Sequence, residues 1–223
     1  MTDNEYFEAM LPFWDCLEES EKDSLIKGSS EMSFRKGEPV SSPGDECRGV
    51  IMLLRGQLRV YIMSEDGREI TLYRIKSGEV CVLSASCVLD AIVFDVFIEA
   101  VDDSKAVIIP LSVFRPIMLS NKDAELFVYK ESAARFSDVM WTMQQILFIG
   151  ADKRLARFLL DETQDGKSTV YMTHDEIARN IGSAREVVSR LLKYMSREGI
   201  VSLSRGKITI TDRQKAKAAA GLC

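Results

Sequence analysis

Apolar residues change their spacing three times along the chain, and each change predicts a different kind of element. Between residues 33 and 110 they come in short runs, 49–54, 57–63 and 69–75, rich in β-branched and aromatic side chains. The runs are separated by turn dipeptides: Pro43-Gly44, Arg55-Gly56, Asp66-Gly67 and Ser77-Gly78. Short strands at this regular spacing predict an antiparallel β-roll or jelly roll. Residues 6–27 have mixed helical spacing and predict one or two short helices ahead of it. Between Asn121 and Gly150 there is neither glycine nor proline, which predicts one long helix. In that helix Leu126, Tyr129, Ala133, Phe136, Met140, Met143 and Leu147 alternate at three and four, the seam of a coiled coil. A second file, Phe127, Ala134, Trp141 and Phe148, runs beside it at sevens. One stripe is expected to pack on the chain's own β domain and the other on a second copy in a parallel homodimer.

The third pattern begins near residue 152. Residues 152–161 predict a helix, and 172–195 predict two more joined by a tight turn. Thr173 and Glu176 stand three apart, as a capping box requires, with Met172 and Ile177 placed to staple the helix start. Gly182 tolerates positive φ in the turn, and Ser183 with Glu186 predicts a second capping box. Ala184, Val188, Leu191 and Met195, with Leu192 beside them, form an apolar stripe that should face inward. Glu186, Ser189, Arg190, Lys193 and Arg197 share another face. A charge stripe alone is usually a solvated face; helix, glycine turn and helix together make it a reading face. Arginine can fork onto guanine, glutamate can accept from cytosine N4, and lysine can sit on phosphate. Two β-branched runs around Ser204-Arg205-Gly206 then predict a hairpin wing.

Composition sharpens this picture through its asymmetry. The 223 residues carry a net charge of −5, which argues against a nucleic-acid partner until the halves are separated. Residues 150–223 hold 14 Lys+Arg against 9 Asp+Glu, net +5, while residues 1–149 hold 15 against 25, net −10. The half that carries the predicted reading helix is the basic one. The amino terminus lacks a basic region followed by an apolar core, and Asp90, Asp95 and Glu99 interrupt the most apolar stretch. A cytoplasmic protein without a membrane partner is expected, and its five irregularly spaced cysteines are expected to be reduced thiols.

Residues 181–192, Ile-Gly-Ser-Ala-Arg-Glu-Val-Val-Ser-Arg-Leu-Leu, resemble the recognition helix of the Crp/Fnr family of bacterial transcription regulators. The order of β-roll, long helix and winged helix resembles that family over essentially the whole chain. The resemblance implies an α+β fold: a sensory, cyclic-nucleotide-binding-like domain at 1–120, a dimerisation helix at 121–150 and a winged helix-turn-helix at 151–223. It implies double-stranded DNA, a second copy and RNA polymerase as partners. Arg185, Glu186 and Arg190 fall where the catabolite activator has base-reading residues. Glu186, Ser189 and Arg190 match the Glu-x-x-Ser-Arg of the fumarate-and-nitrate-reduction regulator, which implies a half-site like TTGAT. Arg185 departs from that subgroup and leaves the outermost base open. The expected DNA-binding set is Thr173, Ser183, Arg185, Glu186, Ser189, Arg190, Lys193 and Arg205.

The sensory domain is less legible. In cyclic-nucleotide-binding relatives a Gly-Glu is followed by an arginine that pairs with the phosphate. Here Gly78-Glu79 is present, but no Lys or Arg occurs from Ser77 through Ser104. A buried cyclic phosphate would lack its counter-charge. The purine-contacting place on the long helix falls at Val139 and Met140, which donate no side-chain hydrogen bond. Cyclic AMP is therefore disfavoured, and Glu79 is expected to be structural. Cys81 and Cys87, with Ser84 and Ser86 between them, admit a redox pair or a haem ligand. Packing of small residues is the favoured alternative, because no neighbouring cation in sequence would lower a thiol pKa. Glu79, Cys81, Ser84, Ser86, Cys87, Val139 and Met140 make up the expected effector pocket. Cys16, Cys47, Cys81 and Cys87 lack iron–sulfur spacing, and the one histidine, His174, leaves zinc without a ligand set. No cofactor, metal site or catalytic residue is called for. An enzyme is disfavoured because that histidine lies outside the sensory half and no nucleophile triad or phosphate loop is present. A sensor whose helix-turn-helix is a protein interface remains the second reading.

Overall fold

The computed structural model describes residues 5–43, 49–65, 67–82, 96–164 and 167–222. Two short helices, α1 (Glu5–Met10) and α2 (Glu19–Gly28), flank a 3-10 turn at Trp14–Cys16 and lead into the β-roll. Its strands are β1 (Ser30–Phe34), β2 (Pro39–Ser41), β3 (Val50–Arg55), β4 (Gln57–Met63), β5 (Glu69–Lys76), β6 (Val80–Cys81), β7 (Phe97–Ala100) and β8 (Ser104–Ile109). They form two four-stranded sheets in the orders β1-β8-β3-β6 and β2-β7-β4-β5, with antiparallel pairing.

The continuous apolar run in β3 follows from burial on both faces. Val50 and Met52 join Phe7, Leu11, Leu25 and Phe114 in the core under the helices. Ile51 and Leu53 point the other way, into the roll's interior with Leu58, Val60, Ile75 and Ile98. β8 alternates in the same manner, Val107 and Ile109 outward against Ala106 and Ile108 inward. Period-two geometry thus lets one sheet serve two cores.

After α3 (Leu111–Ser120) comes α4 (Lys122–Phe148), the expected long helix. Asn121 starts it: its Oδ1 accepts from the backbone N–H groups of Asp123 and Ala124, at 3.0 and 3.1 Å. The remaining elements are α5 (Ala151–Glu162), β9 (Thr169–Val170), α6 (His174–Ile181), α7 (Arg185–Arg197), β10 (Val201–Ser204), β11 (Lys207–Ile210) and α8 (Arg213–Ala219). The strands form a sheet in the order β10-β11-β9. Leu155, Leu159, Ile177, Val188, Leu192, Met195 and Ile208 close a third core over it. The chain divides into two compact units, residues 1–62 with 72–139, and 63–71 with 140–223.

Candidate nucleic-acid interface

The local geometry of α6 follows the sequence closely. Thr173 is extended and its hydroxyl accepts from Glu176 N at 3.2 Å, while Glu176 Oε2 accepts from Thr173 N at 2.6 Å. Ile177 is buried with Met172 packed against the same core. Gly182 ends the helix at φ 60°, ψ 50°, the left-handed conformation that the missing Cβ allows.

The start of α7 differs from expectation. Gly182 N and Ser183 N both donate to Ala178 O, so the turn closes on α6 and consumes one residue more than the predicted box permits. Ala184 becomes the N-cap, extended and without a side-chain cap bond. Ser183 therefore caps nothing, and Ala184 belongs to the cap rather than to the inward stripe. That stripe is Val188, Leu192 and Met195, all buried, with Leu191 half-buried.

Arg185, Glu186, Arg190, Lys193 and Arg197 are exposed, and Ser189 beside them is half-buried. Among the described residues none of these charged groups forms an ion pair, in contrast to Arg179 on α6, which pairs with Asp175 at 3.5 Å. The wing follows directly. Val201 pairs with Ile210 and Ser204 with Lys207, leaving Arg205-Gly206 as a two-residue turn that holds Arg205 out in solvent. Thr173, Ser183, the α7 face and the wing turn thus belong to one compact unit.

Arg154 on α5 is a residue that pattern reading missed. Its Nε donates to Ile181 O at 2.9 Å and its Nη2 to Gly182 O at 3.3 Å, while Nη1 donates to Ile149 O. One guanidinium ties the end of α6 and the turn to the end of α4. Burial lowers its pKa. Its sequence signal was the pair Arg154 and Arg157, three apart on a helix whose other face is apolar.

On α4 every member of the predicted seam is exposed: Leu126, Tyr129, Ala133, Phe136, Met140, Met143 and Leu147. The second file does not pack on the β domain as a file. Phe127 does, with its ring 5.4 Å from that of Phe13, but Trp141 and Phe148 are exposed at 59% and 81%. The side of α4 that packs on its own domain is instead Ala124, Phe127, Val128 and Val139.

Beside β5 and β6 stands a cation that lies outside residues 77–104 in the chain. Arg135, on α4, pairs with Asp138 at 3.1 Å, Glu79 at 3.6 Å and Glu131 at 3.7 Å. Its guanidinium lies 5.1 Å from the centroid of the Tyr73 ring. The Glu131-Arg135-Asp138 spacing was the available signal, since those residues share one helix face. Three carboxylates around one guanidinium leave the cluster with an excess of negative charge. Burial, then the Cys81 thiol, pushes the Tyr73 pKa well up, and burial raises that of Glu131. Glu79 Oε2 also accepts from Lys76 N at 3.1 Å, closing the β5–β6 turn. Cys81 is buried on β6, Val139 is half-buried and Met140 is exposed. Ser84, Ser86 and Cys87 lie outside the described residues.

A double-sheet β-roll, a long helix with an exposed apolar seam and a basic winged helix-turn-helix define a class: sensory domain joined to DNA reader. Comparison with known proteins narrows it. The cyclic nucleotide-binding domain family matches residues 31–121, and the Crp-like helix-turn-helix domain family matches residues 153–218. A solved Crp/Fnr-family structure from Eubacterium rectale is 40% identical, covering 94% of this chain and 98% of that one, with a TM-score of 0.90. The transcriptional regulator SdrP of Thermus thermophilus is 27% identical over 81% of this chain and 89% of its own. The cAMP-activated regulator Vfr of Pseudomonas aeruginosa is 23% identical over 84% of this chain and 92% of its own. The chain belongs to the Crp/Fnr family and is a DNA-binding transcription regulator of that type. Its named relatives are transcription regulators, not enzymes. Among the described residues no helix is long and apolar enough to cross a membrane.

Proposed function

We propose that the protein is a homodimer that reads a pseudo-palindromic, TTGAT-like operator through α7 and is controlled through its β-roll by a signal other than a cyclic phosphate. The observation that carries the DNA reading is the α7 face. Arg185, Glu186, Arg190 and Lys193 are exposed with no ion pair to any described residue, on a helix whose opposite side is buried. Arg190 is assigned to guanine and Glu186 to the opposite strand. Arg185 and Ser189 flank them, and Thr173, Ser183, Lys193 and Arg205 position the backbone.

Dimerisation rests on the seam of α4. Moving one large apolar side chain from water into a packed interface is worth roughly 1.5–3 kcal/mol. Leu126, Tyr129, Phe136, Met140, Met143 and Leu147 from two copies, each between 38% and 66% exposed, together give a gain of the same order as the roughly 4–15 kcal/mol that association costs. Dimerisation through residues 121–150 joins a sensory domain at 1–120 to a DNA-binding domain at 151–223. RNA polymerase is the expected further partner. Glu79, Cys81, Ser84, Ser86, Cys87, Val139 and Met140 are assigned to the effector pocket. The acidic surroundings of Arg135 support the exclusion of a cyclic phosphate, which would meet three carboxylates there.

Fluorescence anisotropy of a duplex carrying TTGAT and its inverted repeat, against a scrambled duplex, tests this reading. Tight binding to the first alone is expected, and equal binding to both contradicts the assignment. Repeating the titration under thiol-oxidising conditions separates a redox signal from packing thiols.

A further inference from the structure

Between α6 and the wing lies a cleft of about 500 Å³, lined in part by Thr173, His174, Asp175, Arg185, Ser204 and Lys207. Two elements contribute three cations to its surroundings: Arg185 and Lys193 from α7, and Lys207 from β11. Among the described residues, none of the three forms an ion pair. Lys207 Nζ lies 5.9 Å from the centroid of the Tyr171 ring. The acids on the bordering elements do not offset this charge in pairs. Glu176 is held by Thr173 in the capping box, at 2.6 and 2.9 Å, Asp175 pairs with Arg179, and Glu186 lies on the exposed face of α7. His174, half-buried, stands at the cleft wall.

We propose that this cleft seats a DNA backbone phosphate and that His174 contacts it in the imidazolium form, so that DNA binding takes up one proton. The inference rests on the DNA-reading role proposed above and adds a residue and a linkage to it. Without DNA the ring's pKa is held below its ordinary value, first by burial and then by Arg185 and Lys193. Those same cations attract an anion, and an anion in the cleft reverses their effect on the ring. His174 is the chain's one histidine, which leaves it as the one side chain whose ordinary range falls between pH 5 and 8. A backbone phosphate fits better than a free anion because the cleft opens beside both the α7 face and the wing turn, the two parts expected to straddle a groove.

The test is anisotropy of the full-length protein with the TTGAT and scrambled duplexes at pH 6 and pH 8, each over a salt series, for the wild type, His174→Gln and His174→Lys. Wild-type Kd is expected to rise on the order of tenfold from pH 6 to pH 8 on both duplexes, since one linked proton gives at most one log unit per pH unit. The salt slope should be steeper at pH 6 by about 0.9, one counterion. His174→Gln should lose the pH dependence and bind like the wild type at pH 8; His174→Lys should lose it and bind like the wild type at pH 6. Intact DNA binding with the same pH profile in wild type and His174→Gln overturns the proposal and leaves the DNA reading standing. A pH dependence confined to the TTGAT duplex makes His174 a base contact and overturns the phosphate assignment. No binding to either duplex at either pH removes the DNA reading, and the proposal with it.

Discussion

Arg190 and Glu186 illustrate what single residues decide on α7. The helix buries Val188, Leu192 and Met195, so its exposed side chains are fixed in direction by the packing of the opposite face. Arg190→Ala is expected to weaken cognate binding by about 1–3 kcal/mol and relax preference at one base pair, because a bidentate contact is lost. Equal weakening on every sequence, measured by competition with single-base variants, would make Arg190 a phosphate contact. The two predicted capping boxes give a paired test. Thr173→Ala should lower the stability of the winged unit by about 1 kcal/mol, whereas Ser183→Ala should change it by less than about 0.5 kcal/mol, as read from thermal melts. Local spacing made the first box legible. It failed at the second because Gly182 closes on Ala178, a tertiary choice of turn that spacing alone does not encode. His174 sets a sign as well. Its folded pKa lies below that of the unfolded chain, so its contribution to stability is present above about pH 6.5 and is lost as pH falls through the folded value. Melts from pH 7.5 to 5 should show this loss and His174→Gln should remove it.

Elements with a sustained period or an unbroken apolar run were the most readable. The α4 seam was visible because heptad spacing persists over its whole length, and β3 because an unbroken apolar run needs burial on both faces. α3 and α8 left no comparable signal. Pro116 interrupts the first, and the second is an alanine-rich stretch that Asp212 caps by accepting from Lys215 N at 2.9 Å. The second file on α4 was misassigned because a seven-residue repeat says where side chains align, not which neighbour covers them. Phe136 is the test of the seam. It is 66% exposed at the middle of the exposed file, and Phe136→Asp places a charge where two copies are proposed to meet. Light scattering should show the mass fall from twice 25.1 kDa to 25.1 kDa, with loss of tight operator binding. A mass unchanged by the substitution would move the interface elsewhere.

For the whole molecule, charge separation was the feature that composition carried most plainly. The basic 74 residues at the carboxyl end contain α6, α7 and the wing, and the acidic remainder contains the roll. What sequence left out was the meeting of distant residues, of which Arg135 is the clearest case. A guanidinium on α4 reaches Glu79 on the β5–β6 turn, 56 positions earlier in the chain, and no local pattern announces that contact. Two copies joined along α4 are proposed to present two α7 helices to successive major grooves. Binding to duplexes whose TTGAT half-sites are centred one helical turn apart, against duplexes spaced by half a turn more, tests it most directly. Two chains per duplex and tight binding at the full-turn spacing, with both lost at the intermediate spacing, are predicted from the roughly 34–36 Å repeat of the groove. Indifference to spacing, or one chain per duplex, would contradict it.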